Sequence, residues 1–339
     1  MSLDIEDPAQ LDDYLRSTNR IGATEKVHIR TLAGGVSNKT VFVKREAGEA
    51  WVLKQALAKL RVKVDWFSDP MRIHREAAAL RWLPKLAPPD TITPLIFEDR
   101  DHHLLAMQAV PEPHENWKTM LLDGRLETDH VVQFAGLLAG IHLRSAQQVE
   151  PLAREFDDRS FFESLRLEPY YLYAAEQEPR AERFLRDLVD ETRSTRTSLV
   201  HGDYSPKNVL VHDSRLVLLD HEGIHWGDPA FDLGFALTHL LSKAHHLSSL
   251  RQQFLQAATV FWDHYAAEMK SQDVPPLDQR VVRHTLACML GRVVGRSPLE
   301  YLSDAERQRQ RELVVAIMNE GSGESIASTM REFTARLER

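Results

Sequence analysis

The chain has 339 residues, of which 43% are hydrophobic and 27% are charged, so it can bury a sizeable core and is not a disordered polypeptide. Its formal net charge of −8 argues against nucleic acid as the main partner, because phosphate binding requires a basic surface. Cys288 is the only cysteine, which excludes an internal disulfide.

Nothing in the sequence predicts a secretion signal or a membrane span. The N-terminal segment MSLDIEDPAQ is acidic and lacks an apolar signal core. The longest mostly apolar stretch, VVQFAGLLAGIHL at 131–143, is too short to cross a bilayer and contains Gln133 and His142. We therefore expect a soluble, cytoplasmic protein without a membrane partner.

The first hundred residues combine strand and helix patterns. Two valine-rich runs within 31–57 are separated by REAGEA, where Gly48 suits a turn, and they predict a β-hairpin. A helix is predicted to begin with Asp69 as the cap and Pro70 at the first helical position. Residues 102–110 predict a buried strand that ends at PEP.

From about residue 128 the pattern becomes helical. Residues 128–146 predict one amphipathic helix, and the helices that follow are predicted to break near Pro169 and Pro179. A later helix has Asp228 as its cap and Pro229 in its first turn, and the remaining chain is predicted to be helical.

The stretch 199–223 concentrates polar groups between runs of Val and Leu. Residues 208–220 predict two short strands joined by a turn, so that Asn208 and Asp220 lie at the same end of the hairpin. Asp203 lies on the loop just before it. Oxygen ligands such as Asn208 and Asp220 suit Mg²⁺, and Asp203 can accept a proton from a hydroxyl. These are the components of a phosphoryl-transfer site.

Three motifs resemble one known family. HGDYSPKN at 201–208 resembles the His-Gly-Asp-x-x-x-x-Asn catalytic loop of the aminoglycoside phosphotransferase-like family, which includes choline, homoserine and methylthioribose kinases. LLDHEG at 218–223 resembles its metal-binding segment, and GDPAFDLG at 227–234 resembles the helix start that follows. A purely structural hairpin would explain any one motif but not all three in this order.

The resemblance implies an α+β, two-lobed protein-kinase-like fold. A small antiparallel-sheet lobe with one helix is expected over 1–110, and a large, mostly α, catalytic and substrate-binding lobe over 111–339. The implied enzyme transfers the γ-phosphoryl group of ATP or GTP to a hydroxyl of a small molecule, with Mg²⁺ as cofactor. A non-catalytic nucleotide-binding scaffold is one alternative. A protein kinase is the other, but Asp228 follows Asp220 by only eight positions, too few for a peptide-docking activation segment.

The family's N-terminal lobe supplies a phosphate cover, for which the sequence has one candidate. In LAGGVSN at 32–38, Gly34 and Gly35 allow backbone N–H groups to approach phosphate oxygens closely. Ser37 and Asn38 add side-chain donors. By itself, a Gly-Gly pair is more often only a turn.

The lobe should also supply a lysine and a glutamate. Strand alternation places Val52 and Lys54 on one face, so that Val52 would contact adenine while Lys54 reaches the phosphates. Glu76, beside the apolar stripe of the next helix, is the predicted partner of Lys54. The alternatives are a solvated strand lysine and a solvated helix glutamate. The rival lysines, Lys39 and Lys44, are expected to be solvated.

Further roles follow from the resemblance alone. The segment LLAMQAVPE resembles the family's hinge, which would bring the backbone of Gln108 and Val110 to the adenine edge, although a plain buried strand end fits equally well. His201 and Asp232 resemble residues that support the catalytic loop, and we assign Asp228 a structural role as the helix cap.

Two residues depart from the protein-kinase pattern. Protein kinases place a lysine two positions after the catalytic aspartate, where this chain has Ser205, whereas Lys207 lies four positions after Asp203. This departure argues against a protein kinase and leaves open whether Lys207 contacts the γ-phosphate. Glu222 occupies a position where protein kinases have Gly, and either a second metal or a loop amide would explain it.

The sequence leaves the acceptor and the oligomeric state open. Cationic acceptors such as aminoglycosides and choline favour carboxylates or an aromatic cage. The segment 151–200 instead holds acids and arginines in mixed order, so it does not identify the small-molecule hydroxyl compound that the resemblance implies.

Overall fold

The N-terminal part of the chain forms one antiparallel sheet in a computed structural model that describes residues 3–32, 35–46, 48–61, 65–270, 277–321 and 325–338. The strands pair in the order β1-β2-β3-β5-β4 and comprise β1 (Val27–Thr31), β2 (Asn38–Arg45), β3 (Trp51–Ala56), β4 (Leu95–Asp99) and β5 (Leu104–Gln108). The predicted hairpin is formed by β2 and β3. Gly48 in its turn has a φ of 114°, which glycine adopts without steric cost.

The two faces of this sheet have different partners, because side chains alternate along each strand. Leu53 is buried in a core shared with helix α1 (Pro8–Ser17), which the sequence analysis did not identify. Val52 and Lys54 lie on the opposite face and line a cavity. The sheet therefore presents one face to a packed core and the other to a binding space.

Helix α2 (Arg72–Leu86) begins later than predicted. The carboxylate of Asp69 accepts a hydrogen bond from the N–H of Met71 at 2.9 Å, as expected of a capping residue. However, the N–H of Arg72 bonds Asp69 O and that of Ile73 bonds Pro70 O, each three residues back, so a tighter turn precedes the helix. The apolar stripe of α2 then packs against β5.

The rest of the chain is mainly helical. The helices are α3 (Trp117–Leu122), α4 (Thr128–Ala146), α5 (Val149–Phe156), α6 (Ser160–Phe162), α7 (Tyr173–Gln177), α8 (Glu182–Ser194), α9 (Ala230–His246), α10 (Arg251–Lys270), α11 (Asp278–Val294), α12 (Asp304–Gly321) and α13 (Ile326–Leu337). Helix α9 is buried on nearly every side and packs against α10 and α11, so it is the centre of this lobe. Among the described helices, none has the length and apolar character needed to cross a bilayer.

The prediction of a helix break at Pro169 is wrong. Pro169 lies inside a π-helical segment, Glu163–Leu172, that connects α6 directly to α7. Proline normally disrupts an α-helix because its ring clashes with the carbonyl four residues back and it has no N–H to donate. The wider π turn pairs residues five apart, which accommodates the proline. The second predicted break, at Pro179, coincides with a 3₁₀ turn over Pro179–Ala181.

Short strands bring the polar stretch together. The predicted second hairpin consists of β8 (Val209–His212) and β9 (Arg215–Leu218), and its turn residues Asp213 and Ser214 both have positive φ. The two-residue strand β6 (Glu115–Asn116) pairs with β8. On the other side of the 201–208 loop, β7 (Ser198–Val200) pairs with β10 (His225–Gly227). Further 3₁₀ turns span Pro206–Asn208 and Ser248–Leu250.

Candidate active site

The loop after β7 has its backbone fixed by one buried carboxylate. Asp232, in the first turn of α9, accepts hydrogen bonds from the N–H of His201 at 2.6 Å and of Gly202 at 2.9 Å. Gly202 has a φ of 79°, and a Cβ there would lie 2.6 Å from the carbonyl oxygen of Gly223, so only glycine fits. The sequence HGD therefore places Asp203 at the tip of a rigid turn.

Asp203 is held by two side chains. The amide Nδ2 of Asn208 donates to Asp203 Oδ2 at 2.7 Å and to Asp203 O at 3.0 Å. Arg166, from the π-helical segment, lies 2.8 Å from Asp203 Oδ2 through Nη2, and its Nε donates to Gly202 O at 2.6 Å. Arg166 was not foreseen from the sequence, because it is a single arginine inside an aromatic run.

A second cluster joins the two lobes. Lys54 Nζ lies 2.6 Å from Glu76 Oε1 and 3.0 Å from Asp220 Oδ1, so the lysine predicted from β3 meets the glutamate predicted from α2. Burial alone would lower the pKa of Lys54, but the charges of Asp220 and Glu76 outweigh it and raise that pKa. Burial raises the pKa of Glu76, which Lys54 opposes.

Asp220 has an unusual backbone. Its φ is 66°, which is uncommon for a residue other than glycine and persists only where the surroundings impose it. Burial would raise the pKa of its carboxyl, but Lys54 and Lys207 hold that pKa below the usual range. The result is an ionised carboxylate aimed at the space between the lobes.

Glu222 has partners that the sequence analysis did not name. Its Oε2 lies 3.1 Å from Arg72 Nε and accepts a hydrogen bond from Asn38 Nδ2 at 3.1 Å. The fully buried guanidinium of Arg72 also donates to the carbonyls of Leu57 at 2.8 Å and of Ser37. Arg72 therefore ties the loop before β2 to the segment after β9.

Most of the predicted nucleotide-binding residues line one cavity of about 620 Å³, whereas Glu76 does not line it and contacts Lys54 instead. Its lining includes Gly35, Ser37, Asn38, Val52, Lys54, Gln108 and Val110. Gly34 lies outside the described residues. The N–H of Gln108 already donates to Pro94 O at 2.9 Å, so a base at this edge would meet the carbonyl of Gln108 or the backbone of Val110. Of the rival lysines, Lys39 pairs with Asp4 at 2.7 Å and Lys44 is exposed.

The remaining predicted residues lie around the same loop. His201 is buried, which lowers its pKa, and its Nδ1 accepts the N–H of Asp203 at 3.2 Å. Asp228 accepts the N–H of Ala230 at 3.0 Å, as a helix cap does. Lys207, within the 201–208 loop, also lines the cavity.

The oxygen atoms between the lobes suit a hard cation. Asn208 donates to Asp203 through its nitrogen, so its amide oxygen points elsewhere, and Asn208 and Asp220 line the same cavity. Among the described residues, no group of three or more His, Cys, Asp and Glu side chains could hold a metal ion. Two protein oxygens completed by phosphates and waters is the usual arrangement for Mg²⁺ at phosphoryl-transfer sites.

The sheet lobe and the helical lobe, joined by the cluster of Lys54, Glu76 and Asp220, form a protein-kinase-like fold. The chain belongs to the phosphotransferase enzyme family (APH), whose sequence pattern matches residues 28–269. No curated protein sequence shows a significant match.

Solved structures share the fold over the whole chain at low identity. Choline kinase LicA from Streptococcus pneumoniae is 15% identical with a TM-score of 0.52, and the match covers 98% of each chain. Choline kinase from Cryptosporidium parvum Iowa II is 10% identical with a TM-score of 0.57, covering 98% of this chain and 100% of that one. The streptomycin-ATP-APH(2")-IIa ternary complex is 12% identical with a TM-score of 0.52, covering 99% of both chains.

Proposed function

We propose that this phosphotransferase moves the γ-phosphoryl group of ATP to a hydroxyl of a small acceptor in a Mg²⁺-dependent reaction. One observation carries the proposal: the ammonium of Lys54 contacts the carboxylates of both Glu76 and Asp220 within 3.0 Å. Lys54 and Asp220 line the same cavity as Asp203. ATP in the ternary complex of one solved relative supports the choice of nucleotide.

In the proposed reaction, the acceptor oxygen attacks the γ-phosphorus and forms the new P–O bond. The bond between the γ-phosphorus and the bridging oxygen breaks, and ADP leaves with that electron pair. Asp203 accepts the hydroxyl proton, and Arg166 and Asn208 keep its carboxylate oriented toward the acceptor.

The other residues position the nucleotide. Lys54, held by Glu76, contacts the α- and β-phosphates, and the loop containing Gly35 covers them. Asn208 and Asp220 would hold Mg²⁺, which neutralises phosphate charge when bound. Val52 would contact the adenine ring.

We further propose that the nucleotide-binding lobe comprises residues 1–110 and the catalytic and acceptor-binding lobe residues 111–339. The end of β5 at Gln108 supports this boundary, because the next long elements all belong to the helical part.

The test is a coupled ADP-release assay with the purified full chain, Mg²⁺ and a panel of hydroxyl compounds, run in parallel with ATP and GTP. We expect Mg²⁺-dependent turnover with at least one acceptor. Tight, Mg²⁺-dependent ATP binding without ADP release on any acceptor would instead indicate a non-catalytic nucleotide-binding scaffold. Phosphorylation of peptides but of no small molecule would indicate a protein kinase.

A further inference from the structure

The cavity continues past Asp203 into the helical lobe. Its inner wall there is made of aromatic and basic side chains from the π-helical segment, α9 and α11, including Tyr170, Phe235, His239 and Arg292. The acceptor must occupy this end, because the opposite end is lined by the strands of the sheet. Its charged groups therefore indicate the chemistry of the acceptor.

The buried His239 of this wall has basic side chains near it: it shares the cavity lining with Lys118, Lys207 and Arg292, and its carbonyl accepts a hydrogen bond from Lys243. Burial, together with the charges of Lys243, Arg292, Lys118 and Lys207, lowers the pKa of His239 well below its ordinary value. We call Lys118, Lys207, Lys243 and Arg292 the basic cluster.

One acid counters the basic cluster from the cavity wall. Glu300 forms an ion pair with Lys118, and its side chain is 62% exposed, so it neutralises the edge of the basic cluster rather than its interior. Arg292 and Lys207 also line the cavity, and neither forms an ion pair with a carboxylate of the described residues.

Arg292 has no carboxylate partner among the described residues. It is only 8% exposed, and its Nη1 contacts the hydroxyl oxygens of Tyr170 at 3.1 Å and of Ser297 at 3.0 Å, as well as the Ser297 carbonyl. Its Nε is buried without a hydrogen-bond partner in the part of the chain that the structure describes. An unpaired buried guanidinium is costly, so a bound anion would satisfy both its charge and its free donor.

Lys243 lies behind this wall on α9. It is fully buried, and its ammonium donates one long hydrogen bond, to His239 O at 3.3 Å. Burial and the nearby charge of Lys118 lower the pKa of Lys243 to about 7. A negative group in the cavity would therefore favour the protonated, charged form of this amine.

The distance from the reacting carboxylate to this wall is short. The guanidinium carbons of Arg166 and Arg292 lie 5.7 Å and 5.4 Å from the centroid of the same ring, that of Tyr170. Arg166 in turn contacts Asp203 at 2.8 Å. The two guanidinium carbons are therefore at most about 11 Å apart, so one small molecule can reach from Asp203 toward Arg292.

We propose that the acceptor is a small hydroxyl compound carrying a carboxylate or phosphate group, which Arg292 and the basic cluster bind while the hydroxyl meets Asp203. The inference rests on the proposed function and names its substrate class. Cationic acceptors are disfavoured, because the same charges repel them and no carboxylate cage replaces them on this wall among the described residues.

The first test compares matched compounds by calorimetry on the full chain saturated with Mg²⁺ and a non-hydrolysable ATP analogue. The panel contains D-glycerate, D-gluconate and glycerol 3-phosphate as anions, glycerol and D-glucose as neutral counterparts, and choline and an aminoglycoside as cations. We expect at least one anion to bind at least about tenfold more tightly than its neutral counterpart, because charge-assisted hydrogen bonds contribute that much. The carboxylates and the phosphate separate the two sources of negative charge. Equal or tighter binding of cations, or no binding by any anion, overturns the proposal.

The second test changes the guanidinium. Arg292→Met should weaken binding of the preferred anion at least about tenfold, and Arg292→Lys should restore part of that loss. Arg296→Met is the matched control, since Arg296 lies on the same segment, pairs loosely with Glu168 at 3.5 Å and does not line the cavity. Unchanged anion binding in a folded Arg292→Met protein overturns the proposal.

The two proposals fail in different ways. ADP release with a neutral or cationic acceptor would leave the phosphotransferase function intact and remove only the anionic substrate class. If the wild-type chain does not bind ATP in a Mg²⁺-dependent manner, the proposed function itself is wrong.

Discussion

The carboxylate of Asp203 is held by Arg166 and Asn208 while facing the acceptor end of the cavity. Asp203→Asn should cut kcat by at least about a hundredfold, since a positioned base typically contributes that much, and should leave the Kd for ATP within a few-fold. Asp213→Asn, in the exposed β8–β9 turn, is the matched control and should retain full activity. Near-normal turnover by the folded Asp203→Asn protein would show that Asp203 does not accept the hydroxyl proton.

Lys54 and Glu76 should act as one unit. Lys54→Ala is expected to lower kcat/KM for ATP strongly, and Glu76→Ala less, because the glutamate acts only by holding the lysine 2.6 Å away. The double variant should then match Lys54→Ala alone. The measurement is a double-mutant cycle on kcat/KM, with Lys44→Ala on the exposed side of β2 as the control. Strictly additive effects would mean that the pair does not position the phosphates.

At the scale of elements, Arg72 connects three segments that the reaction must keep aligned. It belongs to α2, donates to the carbonyl of Ser37 in the loop before β2, and pairs with Glu222 after β9. Arg72→Lys keeps the charge but loses the planar fork of donors, so the loop that covers the phosphates loses its anchor.

We expect Arg72→Lys to raise KM for ATP about tenfold or more and to lower the free energy of unfolding by about 2 kcal/mol, because buried acceptors are left unpaired. Steady-state kinetics and urea unfolding check both effects. Arg81→Lys, in the same helix with a half-exposed side chain, should change neither quantity appreciably. An unchanged KM for ATP in Arg72→Lys would show that the contacts of Arg72 are not needed for nucleotide binding.

Elements were predictable where the signal is local. The β2–β3 hairpin and α4 follow from alternation and helical spacing, which depend on neighbours in sequence. The break at Pro169 was mispredicted, because a π turn depends on how the segment packs rather than on the proline itself. Helix α1 was missed, although Asp7 and Pro8 form a start pattern that could have revealed it.

The site residues also divide into those whose proximity is predictable from local sequence and those whose proximity is not. Asp203, Asn208 and Asp220 come together through one loop and hairpin, so their proximity followed from the sequence. The arginines of the site did not, because each is defined by partners far along the chain. Arg72 meets Glu222 and Arg166 meets Asp203 only after the lobes and the π-helical segment have folded.

At the scale of the whole molecule, the helical lobe buries several histidines that stay neutral. Burial lowers the pKa of each member of this set, which comprises His201, His221, His225 and His239. An unfolded chain would protonate them near their ordinary pKa. Acid should therefore favour the unfolded state before the carboxylates titrate.

His225 provides the clearest test of this effect. Its ring stacks on Phe162 at 3.9 Å between centroids, Nδ1 donates to Gly223 O at 3.0 Å, and burial lowers its pKa from 6.5 to about 4. Between those two values the unfolded state binds more protons, so the stability is present above pH 6.5 and is lost as the pH falls toward 4. From pH 7 to pH 5 this single group should lower the free energy of unfolding by about 2 kcal/mol.

Urea unfolding of the wild-type chain and of His225→Gln at pH 7 and pH 5 measures this contribution. The variant should be less stable than wild type at pH 7, because the ring stack is lost, yet its stability should fall by about 2 kcal/mol less between the two pH values. His28→Gln, on the exposed side of β1, is the matched control and should keep the wild-type difference. If His225→Gln keeps the wild-type difference as well, the acid sensitivity arises from other groups in the lobe.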